Sequence, residues 1–272
     1  MKKPSIAIIY LPGNNCEEES LRAVLSNGMD GKIVRWNQRQ GIEKYDGYVI
    51  TGGWAYEDRI RAGVIASKDP IIQLVKKQAE KGKPVLGICN GAQVLVETGM
   101  IPGLKERVHM ALAPNINPLV SGYFCTWVKV KSSAPRARCA FTQTYDRGQI
   151  IPLPIAHGEG RFVSADSDVL KDLKKNDQIV FQYCDDSGVL DAQFPVNPNG
   201  STENIAALCN KQGNVMAIMP HPERASFVAQ LPYTQEKINS IGDAKMMISP
   251  SLANNMFTSM KKYIEQGNKN RK

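Results

Sequence analysis

Pro84-Val85-Leu86-Gly87-Ile88-Cys89-Asn90-Gly91-Ala92-Gln93 is a short apolar strand that breaks into a helix at a cysteine. Pro84–Ile88 has strand composition, and the helix that follows runs to about Thr98. A glycine–x–nucleophile–x–glycine turn reverses the chain sharply and lifts the central side chain above the sheet; the glycines are needed because side chains would collide there. The cysteine gains a helix N-terminus, whose free N–H groups favour a thiolate and can receive an oxyanion. The plain alternative is a buried structural thiol between two turn glycines.

Working outward, strand and helix signals alternate through the first third of the chain. Ile6–Tyr10 is a β-rich run ending at Pro12-Gly13, Glu17–Ser26 has helical spacing and stops at Asn27-Gly28, and Ile33–Trp36 is a second strand. Tyr48–Ile50 ends abruptly at Thr51-Gly52-Gly53, and Pro70–Lys81 carries apolar residues at 71, 72, 74, 75 and 79, a helical period. This alternation predicts a parallel sheet covered by helices. The middle differs. Tyr123–Lys131 alternates in part, and Ile150–Ile155 holds two prolines, which suits an edge strand. Ile179–Cys184, Ile205–Cys209 and Val215–Met219 are short strands joined by turn-rich segments, which predicts an antiparallel addition. Asn254–Gln266 is an amphipathic helix. One α/β domain over residues 1–272 is expected: a central, mostly parallel sheet flanked by helices, with an antiparallel portion.

Composition narrows the class. Of 272 residues, 42% are hydrophobic and 22% charged, which excludes a disordered or collagen-like chain. No apolar run approaches the ~18 residues of a membrane span. The N-terminal apolar run breaks at Pro12-Gly13 and turns acidic at Glu17–Glu19, so it reads as a first strand and not a signal peptide. The net charge is +8, but basic residues are not interleaved with aromatics, so neither nucleic acid nor a membrane is an expected partner. Cys16, Cys89, Cys125, Cys139, Cys184 and Cys209 are far apart with no C-x-x-C pair; no metal site is expected, and reduced cytoplasmic thiols are.

A thiol nucleophile needs a base, and the chain has three histidines. His109 has only Glu106 as a nearby carboxylate. His157, in Ala156-His157-Gly158-Glu159-Gly160, and His221, in Met219-Pro220-His221-Pro222-Glu223, each have a glutamate two residues on, so spacing does not separate them. His221 ends an apolar strand and its prolines stiffen the turn, which favours it as the base oriented by Glu223. His157, in a glycine-rich loop, suits binding or contact, with its loss expected to weaken coupling or assembly. Thr51-Gly52-Gly53 falls at a strand's carboxyl end, where a backbone N–H can meet a developing oxyanion.

Gly87–Gln93, Thr51-Gly52-Gly53 and His221-Pro222-Glu223 together resemble the three motifs of the class I (triad) glutamine amidotransferases, a flavodoxin-like fold. Pro12–Cys16, Gly52–Gly63, Ile155–Phe162 and Asn197–Ser201 are similar, more narrowly, to the glutaminase subunits of phosphoribosylformylglycinamidine synthases, which serve purine synthesis. The resemblance covers about residues 5–228; 229–272 is a C-terminal extension, helical in part. It implies Cys89, His221 and Glu223 as catalytic residues, and Gly52, Gly53, Asn90 and Gln93 as the oxyanion and substrate groups. It implies glutamine as substrate, no cofactor in this chain, and a synthetase partner carrying ATP and Mg²⁺, with a small bridging subunit. Another amidotransferase pathway and a partner-independent cysteine hydrolase remain the alternatives. Ala92 stands where many relatives have a second cysteine, and Glu57 where glycine is common. Asp58 and Arg61 are three apart, a spacing that would put them on one helical face, to hold the loop over the active site, to contact the synthetase, or simply to form a solvated ion pair. Arg161 would meet a partner or anchor the His157 loop. Lys261-Lys262 and the tail Lys269–Lys272 read as a solvated basic end.

Overall fold

The protein is described here by a computed structural model covering residues 2–104, 108–120, 122–232 and 247–269. Apolar runs bounded by turn residues become the strands of one nine-stranded sheet. In chain order the strands of this sheet and of a separate two-stranded ribbon are β1 (Ser5–Tyr10), β2 (Asp30–Arg35), β3 (Gly47–Ile50), β4 (Val85–Ile88), β5 (Ala111–Ala113), β6 (Phe124–Ser132), β7 (Ile150–His157), β8 (Arg161–Val163), β9 (Ile179–Cys184), β10 (Ile205–Cys209) and β11 (Val215–Ile218). The large sheet has the order β2-β1-β3-β4-β11-β10-β9-β6-β7, and β5 pairs with β8 in a separate ribbon.

The helices are α1 (Glu17–Ser26), α2 (Val64–Ser67), α3 (Pro70–Glu80), α4 (Asn90–Glu97), α5 (Ser167–Lys175) and α6 (Asn255–Lys269). Their starts follow from local chemistry. Three glutamates occupy the first turn of α1, where the helix dipole favours anions. The Asp69 carboxylate accepts the N–H of Ile71 at the start of α3, and Pro70 sits where its missing N–H costs nothing.

Strand direction sets where the site forms. β2, β1, β3, β4 and β11 pair in parallel. β10, β9, β6 and β7 then alternate, so β9 and β7 point the same way as the parallel group. The segments leaving β1, β3, β4, β7 and β11 therefore emerge at one edge, the carboxyl edge where α/β sites are built. β4 is buried along its whole length between β3 and β11. β7 is an edge strand, as its two prolines require, since a proline cannot donate to a second neighbour.

Some elements depart from the sequence expectations. β2 begins at Asp30 rather than Ile33, because pairing of Ser5 with Asp30 extends the ladder through polar residues of low strand propensity. The short α2, β5 and β8 and the polar α5 gave no strong local signal. Helix α6 buries Met256, Phe257, Met260 and Ile264 in the core, and a Cβ on Gly47 would come within 2.5 Å of the Met260 methyl. Lys261 is not simply solvated: its Nζ donates to Asn27 O at 3.0 Å, placing a cation at the end of α1. Residues 233–246 of the extension, Glu106, and 270–272 of the basic tail lie outside the described residues.

Candidate active site

Cys89 stands at the junction of β4 and α4 with φ 51° and ψ −107°, a left-handed conformation that a non-glycine residue adopts only under constraint. The constraint is visible on both sides. A Cβ at Gly91 would lie 2.0 Å from Ile50 O, and one at Gly87 would lie 2.5 Å from Gly91 O, so glycine is required at each. The Cys89 N–H donates to Ile218 O at 2.8 Å, tying the turn to the end of β11.

His221 follows β11 directly. Its N–H donates to Pro154 O at 2.8 Å, and its Nδ1 lies 2.6 Å from Glu223 Oε1, both side chains being fully buried. Nε2 makes no hydrogen bond among the described residues. Burial alone would lower the pKa of this imidazole, but the Glu223 carboxylate, then Cys89 and Cys16, outweigh it and hold the value well above the ordinary histidine range. Gly52 is where the site closes up. A methyl group there would sit 3.0 Å from His221 Cε1, 3.1 Å from Cys16 Sγ and 3.4 Å from Cys89 Cβ. A side chain there would press on the two thiol residues and the imidazole that share that corner, which would have to give by a few tenths of an ångström.

The segment after β3 is moulded against the segment after β1. Gly53 has φ 134°, and a Cβ on it would collide with Asn14 Cα at 2.5 Å. The backbone N–H groups of Gly53 and Asn90 meet no acceptor among the described residues. The Asn90 side chain links the two loops: its Oδ1 accepts the N–H of Ala55 at 3.0 Å, and its Nδ2 donates to Asp58 Oδ1 and to Gln93 Oε1, both at 2.9 Å. Gln93 Nε2 continues the chain to Glu159 O at 2.8 Å.

These groups surround a pocket of about 180 Å³, lined by Gly53, Cys89, Gln93 and His221 from the expected set and by Cys16, Asp58, His157, Glu159 and Arg224 among others. That volume suits an amino acid rather than a drug-sized ligand. Cys16 Sγ, His221 Nδ1 and a Glu223 oxygen lie within 4.8 Å of one another, a spacing a metal ion could use. They are already engaged, however: Glu223 holds His221, and Arg224 Nη2 donates to Cys16 Sγ at 3.2 Å, setting a fixed positive charge beside the group.

With this geometry in place, comparison with known proteins is informative. Residues 3–264 match the CobB/CobQ-like glutamine amidotransferase domain. The chain belongs to that family. It is 46% identical over 267 residues to the phosphoribosylformylglycinamidine synthase subunit PurQ of Methanothrix thermoacetophila, covering 96% of this chain and 98% of that one. The corresponding subunit of Pyrococcus furiosus is 41% identical over 220 residues, 81% of this chain and 88% of that one. Among solved structures, one of PurLQS from Thermotoga maritima superposes with a TM-score of 0.69 at 29% identity, covering 97% of this chain and 100% of that one. The fold is thus the flavodoxin-like amidotransferase fold expected from the motifs.

In this amidotransferase several pocket residues went unrecognised in the sequence. Cys16 Sγ lies 4.0 Å from His221 Nδ1, and burial raises its pKa. The available signal was its position just beyond the first parallel strand. Asp58 does not pair with Arg61. Residues 55–58 form a single tight turn in which Tyr56, Glu57 and Asp58 are left-handed, so helical spacing does not apply. Arg61 instead meets Glu97 at 2.6 Å, and Asp58 turns inward to Asn90. Glu57 has φ 60°, the conformation glycine tolerates best. Arg161 Nε donates to Pro114 O at 2.9 Å, which anchors the strand after the His157 loop. Among the described residues no helix is long and apolar enough to cross a membrane.

Proposed function

We propose that this chain is the glutaminase subunit of phosphoribosylformylglycinamidine synthase. Cys89 Sγ attacks the side-chain amide carbon of glutamine, and its proton passes to His221 Nε2. The N–H groups of Gly53 and Asn90 receive the oxyanion; loss of one such donor typically costs about 10²–10³ in rate. His221, held by Glu223, returns the proton to the departing ammonia. The resulting glutamyl thioester is hydrolysed to glutamate. Gln93 lines the glutamine pocket.

The observation that carries this assignment is a left-handed cysteine between two obligate glycines, sharing the Gly52 corner with a buried imidazole whose Nε2 is unpartnered. The names of the PurQ relatives and the Thermotoga PurLQS structure support the pathway and the partners. In that assignment ammonia passes to a synthetase subunit that holds ATP and Mg²⁺ and converts formylglycinamide ribonucleotide to formylglycinamidine ribonucleotide. A small third subunit bridges the two, the chain itself carries no cofactor, and the assembly works in the cytoplasm.

The test is covalent trapping of the assembled enzyme with a diazoketone analogue of glutamine, mapped by mass spectrometry with glutamine as competitor. A single glutamine-protected adduct on Cys89 is expected, and Cys89→Ala should abolish glutamine-dependent but not ammonia-dependent synthesis. An adduct elsewhere, or one that glutamine does not protect, refutes the assignment.

A further inference from the structure

The β5–β8 ribbon carries no catalytic group, yet it ends beside the catalytic pocket. Ala113 pairs with Arg161, and two residues further on the ribbon delivers Asn115 to the segment that leaves β7. The Asn115 N–H donates to Gly158 O at 2.8 Å. Its side-chain Nδ2 donates to His157 O at 2.7 Å and to Gly122 O at 3.2 Å, and its Oδ1 accepts the Gly160 N–H at 3.1 Å. One residue thus grips positions 157, 158 and 160. The gripped segment touches the reacting groups: Ala156 O accepts from Cys89 Sγ at 3.6 Å, and Glu159 O accepts from Gln93 Nε2 at 2.8 Å.

The same amide places the proton on His157. With Nδ2 committed to carbonyls and Oδ1 to an N–H, the orientation of the amide is fixed, and Oδ1 is the acceptor for the ring, 3.1 Å from Nδ1. Nδ1 therefore carries the proton, and Nε2 is a buried lone pair with no partner among the described residues. Gly160 makes room for the ring, since a Cβ there would run into it. Burial first, and then the nearby His221, lower the pKa of His157 to about 3, so the ring is neutral. The titratable and charged groups lining the same pocket are Cys16 before α1, Asp58 after β3, Cys89 at the β4–α4 turn, Tyr123 before β6, Glu159 on the ring's own segment, and His221 and Arg224 after β11. Among the described residues no carboxylate pairs with the His157 ring; the carboxamide of Asn115 takes that place.

We infer that Asn115 is a positioning residue of the glutaminase reaction: its amide clamps the segment after β7 against Cys89 and Gln93 and keeps the His157 imidazole in its neutral Nδ1–H form, so that His221 is the one imidazole that moves a proton. This role rests on the glutaminase assignment above. A carboxamide serves where a carboxylate would not. A carboxylate against Nδ1–H would stabilise a second imidazolium beside His221, as Glu223 stabilises the first, and the added positive charge would make His221 a weaker base. The chemistry tolerates loss of the His157 ring better than a charge on it.

The experiment measures the pH profile of kcat for glutamine-dependent synthesis in the complex assembled with its synthetase. It uses the wild type, Asn115→Asp, and Asn115→Asp combined with His157→Asn. Turnover is counted per site that the diazoketone analogue labels, so only folded sites enter. Asn115→Asp keeps the shape and the acceptor and adds the charge. Its kcat should fall about tenfold below the wild type as pH drops through the new His157 value, and rejoin it at alkaline pH. Ammonia-dependent synthesis by the same samples should keep the wild-type profile, and the double variant should lack the new acid limb. An Asn115→Asp profile parallel to that of the wild type, or a limb that persists in the double variant, overturns the inference and leaves the glutaminase assignment standing. If the carboxylate variant is inactive at every pH, Asn115→Ala decides: the clamp predicts a kcat loss of about tenfold or more, and a kcat within about twofold of the wild type overturns the inference. Absence of glutamine turnover by the wild-type complex overturns the assignment and the inference together.

Discussion

Two turns of the molecule share the pattern histidine–x–glutamate at the end of a strand, and they have opposite fates. At the end of β11, Nδ1 of His221 meets Glu223 at 2.6 Å, and its imidazole is held well above the ordinary range. At the end of β7, His157 turns its Nδ1 to Asn115, falls to about 3, and leaves Glu159 free to face Asp58. The middle residue is one difference. Pro222 starts a tight 3₁₀ turn that folds Glu223 back under the ring, while Gly158 lets the chain run on and the Asn115 side chain takes the ring instead. Distance from Cys89 is not another: β7 ends the sheet order, yet its Ala156 O accepts from Cys89 Sγ at 3.6 Å and its Pro154 O accepts the His221 N–H at 2.8 Å. Equal spacing therefore accompanies one imidazole paired with a carboxylate and one neutral imidazole.

The largest effect expected from this contrast is on chemistry. His221→Asn should lower glutamine-dependent turnover by about 10³-fold, within the range for losing a general acid–base, and leave ammonia-dependent synthesis intact. His157→Asn should change kcat by less than about tenfold and raise KM. Steady-state kinetics on both substrates would reverse the assignment if His157→Asn were the inactive variant.

Next comes the carboxylate pair. Glu223→Gln should cost about 10²-fold in kcat, whereas Glu159→Gln should act mainly on KM. The Glu223 change should also destabilise the fold. The folded pKa of His221 is raised, so its contribution to stability is complete below the unfolded value near ~6.5 and is lost as pH rises through the folded value. Denaturant titrations should thus show a loss of about 3 kcal/mol at pH 6, shrinking at alkaline pH. A loss that grows with pH would contradict the ion pair.

A smaller effect is on pH dependence at the Asp58–Glu159 side. Asp58 has a folded value of about 6, so KM for glutamine should rise as pH falls through that value, with Glu159 as the other charge facing it. Asp58→Asn should flatten that rise at a uniformly high KM; an unchanged pH profile in the variant would mean that another group titrates. The smallest effect is on Pro222. Pro222→Ala should cost only about 0.4–1 kcal/mol of stability, by freeing the unfolded chain, with a modest loss of kcat. A loss of kcat as large as that of Glu223→Gln would give the proline a larger share in placing the carboxylate.

Much of the architecture could be read in advance because its causes are local. The apolar runs of β1, β3, β4 and β11, the prolines of β7 and the helical period of Pro70–Lys81 each state their role within a few residues. So does the Gly87–Gly91 turn, whose glycines are dictated by contacts under 3 Å with their own strand-turn-helix unit and with Ile50. β5, β8 and α2 were illegible because three or four residues carry no periodicity, and the early start of β2 because a ladder partner supplied what propensity did not.

The site divides along the same line. The sequence by itself determined the Cys89 turn, the glycines that shape it and the candidate histidines, since each depends on backbone sterics over a handful of positions. Only the tertiary structure decided that Cys16 lies against the imidazole, that Asp58 turns to Asn90 instead of Arg61, and that His221 rather than His157 receives a carboxylate. Those outcomes depend on strands far apart in the chain ending at one edge, where long-range packing chooses each polar group's partner and burial makes that choice costly to change.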